Sequence, residues 1–193
     1  MERFARTIVG YHGCTEAFAR DLLLGVKPIN EWLPSTNEWD WLGHGIYFWE
    51  HAPERALRWA TEKFGSRGEA PAVLGAVIQL GRCFDLLDET FTALLTGAHQ
   101  KLAKTFADEG KILPVNRGSL AKLRELDCLV INDYVATVES QGDRYDTVRG
   151  AFLEGEPIFP GAGIRKETHL QIAVLNPDCI LGVFQPNKER QTL

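Results

Sequence analysis

The chain of 193 residues is 45% hydrophobic and 24% charged, the make-up of one ordinary globular domain rather than of a disordered or fibrous chain. Its formal net charge of -5, with no block of Lys and Arg, disfavours a stable duplex-DNA binder, while a brief nucleic-acid contact confined to a pocket stays open.

In chain order, "RTIVGYHG" from Arg6 is a short apolar run closed by Gly13, which predicts a strand ending in a turn. Thr15 suits the N-cap of an amphipathic helix, "EAFARDLLLG", stopped by Gly25. "VKPINEWLPSTNEWDW" is loop, and its tryptophans Trp32, Trp39 and Trp41 must bury or bind. "GIYFWE" predicts a short strand, and Pro53 the first turn of a helix reaching Gly65. "APAVLGAVIQLGRCFDLLD" reads as an internal strand ending near Asp85. Helices follow over "DETFTALLTGAHQKLAKTFADEG" and "RGSLAKLRELDCLVINDYVATVES", the second opening near Ser119. "DTVRGAFLEG" is a strand and "EPIFPGAGIRKE" a Pro/Gly-containing loop. "THLQIAVLNPDCILGVFQP" is two strands broken at Asn176-Pro177. Nothing divides the chain, so a single domain over 1–193 is expected, of class α+β with mostly antiparallel sheets.

Cys14, Cys83, Cys128 and Cys179 are scattered, with no CxxC or Cys/His cluster. That argues against a metal site and a disulfide framework, and for free thiols in a reducing compartment. "MERFARTIVGYHG" has no signal-peptide core and no run approaches a membrane span, so a cytoplasmic chain without membrane contact is expected.

Polar residues interrupt three of the apolar strands. His12 ends the first, and Gly13 beside it permits close approach to the backbone. Tyr47 lies within "GHGIYFWE", where a core tyrosine with a satisfied hydroxyl is the plain alternative. Gln171 in "THLQIAV" alternates away from Leu170 and Ile172, on the side of His169, and needs a partner if buried.

Taken together, "YHG" at Tyr11 to Gly13, "GHGIYF" at Gly43 to Phe48 and "QIAVLNPDCI" at Gln171 to Ile180 resemble the ADP-ribosyltransferase superfamily. The likeness is to its diphtheria-toxin and poly(ADP-ribose) polymerase branch, marked by histidine, tyrosine and glutamate, and extends to bacterial relatives through "AVIQLGRCFDLLD". The helices between Asp88 and Gln141 carry no such likeness. The resemblance implies an ADP-ribosyltransferase-like fold of two packed, mostly antiparallel sheets with helices inserted mid-chain. It also implies a mono-ADP-ribosyltransferase that cleaves the nicotinamide–ribose bond of NAD and passes ADP-ribose to a macromolecular acceptor, protein or nucleic acid. A toxin or phage-defence effector fits that activity, with an antitoxin as a partner. The alternatives are an NAD glycohydrolase and an inactive module that binds NAD or ADP-ribose. An interaction protein docking through Trp32 to Trp41 stands outside that class.

By the same resemblance, His12 bonds the adenosine-side ribose, the Gly13 backbone holds the nicotinamide carboxamide, and Tyr47 stacks on the nicotinamide ring. The implied NAD lining is His12, Gly13, Thr15, Gly45, Tyr47 and Phe48, Gly43 and Gly45 keeping the strand mouth open; for Phe48 the packed-core alternative is the stronger. Gln171 departs from the family glutamate: its amide oxygen can accept from a ribose hydroxyl but cannot take a proton. A base must then come from elsewhere, and Glu154, ahead of Glu156 and Glu167, is the first choice because Gly155 adjoins it. Arg149 could meet a phosphate, an ion pair being the commoner fate, and His44 and His169 flank the pocket as secondary candidates.

Overall fold

The computed structural model describes residues 4–118 and 122–187. Strand β1 (Phe4–Thr15) runs into helix α1 (Glu16–Leu23), where the Thr15 side chain accepts from the N–H of Phe18 as the expected N-cap. After the tryptophan-containing loop comes β2 (Ile46–Glu50), then α2 (Pro53–Phe64), which opens on proline. The apolar run becomes β3 (Pro71–Gly81) and β4 (Cys83–Asp85). Gly81 divides them in a left-handed conformation, φ 58°, with the Asp146 side chain packed where a Cβ would project. Helices α3 (Glu89–Asp108) and α4 (Glu125–Ser140) precede β5 (Thr147–Phe152), β6 (His169–Val174) and β7 (Ile180–Phe184).

α4 opens at Glu125, later than the expected start near Ser119, which itself lies outside the described residues. Leu123, two residues ahead of it, forms an antiparallel bridge with Arg117.

The class is α+β, and the strands form one seven-stranded sheet in the order β4-β5-β6-β2-β1-β3-β7. Two packed sheets were expected. Here β6 pairs with β5 through Phe152↔His169 and with β2 through Tyr47↔Ala173, which joins the two halves edge to edge. Only β4 and β5 run parallel among the paired strands.

Alternation gives the sheet two apolar faces. On the first, Phe48, Leu74, Ile78, Ile172 and Val174 pack with Ala19 and Leu22 of α1 and with Trp32. On the second, Phe84, Val148 and Ala173 pack with Leu42, Phe91 of α3 and Ile131 of α4. α2 also covers the second face, at its β1 end, burying Ala56 and Ala60. No helix among the described residues is long and apolar enough to cross a membrane.

Candidate active site

The three signature residues lie on the adjacent strands β1, β2 and β6, but alternation divides their side chains between the faces. His12 turns to the first face, edge-on to Trp32 with ring centroids 4.7 Å apart and 5.7 Å from Phe48. Its Nδ1 lies 2.7 Å from the backbone oxygen of Tyr47. A carbonyl only accepts, so Nδ1 carries the hydrogen and Nε2 keeps a lone pair. Burial pushes the His12 pKa down to about 4, against the bond to Tyr47 and with a contribution from the Lys63 charge.

That contact stands where a backbone ladder stops. β1 and β2 are paired at Gly10↔Glu50 and Tyr11↔Trp49. The Val9 carbonyl accepts from the His51 N–H at 3.1 Å across this ladder, so the backbone groups of Tyr11 and Gly13 turn toward β2 as well. Gly13 lies two residues past the last pair, opposite Tyr47 if the register continued, and the imidazole of His12 holds the Tyr47 carbonyl it would have met.

Tyr47 and Gln171 share the second face. The Tyr47 hydroxyl donates to the Gly43 carbonyl at 2.5 Å and accepts from the Leu42 N–H at 2.8 Å. Burial, reinforced by Asp40, holds its pKa well above the usual phenol range, so what it can offer a ligand is its ring. Gln171 is 7% exposed, and its Oε1 has no hydrogen-bond partner among the described residues. Across the ladder it faces Trp49, whose Nε1 is likewise buried without a partner among them.

Around this pair lies a polar cluster. Glu154, 3% exposed, holds Arg55 of α2 at 2.8 Å, and Lys122 reaches it at 3.6 Å. His169 Nδ1 lies 3.7 Å from the Glu154 carboxylate and 2.7 Å from the Glu167 backbone oxygen. Trp41 lies nearly parallel to the His169 ring at 6.1 Å, its Nε1 donating to the Lys122 carbonyl at 2.8 Å. Arg55 Nε and His169 Nε2 are buried and unpartnered among the described residues. Arg55 and Lys122 escaped sequence analysis because a charge on an amphipathic helix or in a loop looks like solvent-facing surface.

The other expected residues have structural partners. A Cβ on Gly13 would collide with the Ala56 carbonyl and meet the Trp59 ring at 3.0 Å, so the approach of α2 already demands glycine there. Gly45 exchanges backbone bonds with Ser35 and abuts Ala173, while Gly43 (φ 74°) lies under Asn132, whose Oδ1 accepts from the His44 N–H. These two buried glycines therefore close the loop onto the sheet, where an open strand mouth was expected. Thr15 caps α1, Phe48 is fully buried core, and Glu156 and His44 are exposed. Arg149 divides its guanidinium between Glu50 (2.7 Å) and Asp85 (3.1 Å), and Glu167 pairs with Arg58 at 3.4 Å. All four cysteines are free and buried, and no cluster among the described residues could hold a metal ion.

Comparison with family models, with curated proteins and with solved structures found no match.

Proposed function

We propose that this chain has an ADP-ribosyltransferase-like fold and is an NAD-dependent mono-ADP-ribosyltransferase, cleaving the nicotinamide–ribose bond and passing ADP-ribose to a macromolecular acceptor. The observation that carries the reading is the end of the β1–β2 ladder at His12 and Gly13. Beyond it, the Gly13 N–H and C=O face β2 without a ladder pair, which suits the donor and acceptor of a carboxamide. Beside this ladder end, the Tyr47 ring and the Gln171 Oε1 belong to one face of the sheet and the His12 ring to the other. A bent dinucleotide would therefore straddle the ladder end, its nicotinamide end on the Tyr47 side and its adenosine ribose toward His12, rather than fill a cleft on a single face. The Nε2 lone pair suits a hydroxyl, which must donate. Because the leaving nicotinamide departs neutral, the chain need only fix the strained substrate and accept from the ribose hydroxyls.

The test is release of free nicotinamide from NAD, with and without cell extract. Release that rises with extract, accompanied by label entering macromolecules, is expected. Release independent of extract identifies an NAD glycohydrolase instead. His12→Ala and Tyr47→Ala should each abolish release while far-UV circular dichroism is retained, and unchanged turnover in both variants sinks the site. A second reading, an inactive NAD-binding module, is favoured by one observation: Glu154, the nearby carboxylate, is held by Arg55, and Gln171 has no charge. Affinity for NAD without any turnover would select it.

A further inference from the structure

Resting on the transferase reading above, we propose that His169, rather than Glu154, takes the proton of the acceptor. Gln171 cannot serve as a base, and both Glu154 oxygens are engaged, Oε2 by Arg55 at 2.8 Å and Oε1 by Lys122 at 3.6 Å. His169 stands two residues before Gln171 on the same face of β6. Its Nδ1 must carry the hydrogen it donates to the Glu167 carbonyl at 2.7 Å, which leaves the Nε2 lone pair facing outward from that bond. That Nε2 is buried and unpartnered among the described residues, and the residue is 7% exposed. Glu154, 3.7 Å from Nδ1, is placed to stabilise the imidazolium once formed. The arrangement is a carboxylate from the β5–β6 segment beside an oriented imidazole with a free lone pair, the imidazole on the strand that carries the Gln171 amide.

An acceptor hydroxyl X–OH attacks C1′ of the nicotinamide ribose, and the new C1′–O bond forms as the C1′–N bond breaks. The electron pair of the broken bond leaves with nicotinamide as a neutral molecule, and the acceptor proton passes to Nε2. The imidazole is covered by Trp41, half-buried and parallel to it, and by Phe152 at 5.9 Å, so the acceptor reaches Nε2 by displacing this aromatic cover.

The charged groups facing the ring are Arg55 from α2, Glu154 and Glu167 from the β5–β6 segment, and Lys122 and Arg124 ahead of α4, the last lying over Trp41. Burial first, then Arg55, lowers the His169 pKa below its ordinary value, while the Glu167 bond and the Glu154 charge raise it. The ring is thus neutral, and able to accept a proton, at pH 7.

The experiment follows nicotinamide release from NAD against pH, with NAD affinity measured separately by calorimetry. In the wild type, release should fall on the acid side, at a pH below 6.5. His169→Gln should slow release roughly 100-fold or more at pH 7, remove that acid limb, and change NAD affinity less than about threefold. Glu154→Gln should move the acid limb to lower pH, because the carboxylate favours the imidazolium, and this serves if His169→Gln does not fold. Wild-type release with a His169→Gln rate and limb unchanged overturns the assignment alone, as does an acid limb unmoved in Glu154→Gln. Loss of NAD affinity equal to the loss of rate also overturns it, by giving His169 a structural role. Absence of release from the wild type overturns the transferase reading itself.

Discussion

Gly13→Ala separates the two reasons for a glycine beside His12. The added Cβ would press on the backbone oxygen of Ala56 and sit 3.0 Å from the Trp59 ring, so α2 has to move as a body. Overpacking of this kind costs about 1–3 kcal/mol, and backbone rather than a flexible side chain must yield, which puts the change at the upper end, about 3 kcal/mol. For a chain of this size each kcal/mol lowers the melting temperature by about 2–4 °C, so a fall of about 6–12 °C is expected. Gly97→Ala is the control. It lies inside α3 with nothing within 4 Å of the added methyl, and should stabilise by about 0.5–1 kcal/mol. Thermal melts by circular dichroism read both variants. If Gly13→Ala melts like the wild type yet no longer binds NAD, the argument from helix packing is wrong and the glycine serves the ligand alone.

Further expectations concern charge. His12 is neutral in the fold, with a pKa of about 4 against 6.5 in the unfolded chain. The unfolded state therefore binds the proton first, and the contribution, fully present above pH 6.5, is lost as pH falls through 4, to a total of about 3 kcal/mol. Urea titrations at pH 7 and pH 4 should show a smaller stability difference for His12→Gln than for the wild type; an equal difference refutes the assignment. Arg149→Ala leaves Glu50 and Asp85 facing one another and should cost about 3–5 kcal/mol with NAD affinity unchanged in the folded fraction, whereas a selective loss of affinity would return Arg149 to phosphate binding. Gln171→Glu should keep or raise NAD hydrolysis. It buries a carboxylate whose folded-state pKa is raised, so its melting temperature should drop at pH 7 and recover as the acid is protonated. A collapse of hydrolysis in a folded Gln171→Glu protein removes Gln171 from the site.

Local chemistry set most of the elements. Thr15 as an N-cap, Pro53 at a helix start, Asn176-Pro177 between two strands and the alternation through Gln171 are all rules that act within a few residues, and they stand in the structure. The opening of α4 at Glu125 was not legible, because Leu123 just ahead of it is held in a bridge to Arg117, a pairing that propensity does not register. What the tertiary structure decided is how strands meet. Pairing of β6 with both β5 and β2 makes one sheet of what reads as two, and the β1–β2 ladder ends early, at Tyr11↔Trp49, where the His12 side chain takes up the Tyr47 carbonyl. Period-two alternation had already fixed that His12 and Tyr47 each face one side, but only the cross-strand register shows that the sides differ. The Arg55–Glu154–His169 cluster was beyond reach for the same reason: its members come from a helix, a loop and a strand up to 114 positions apart, and burial turns an ordinary surface charge into a committed partner.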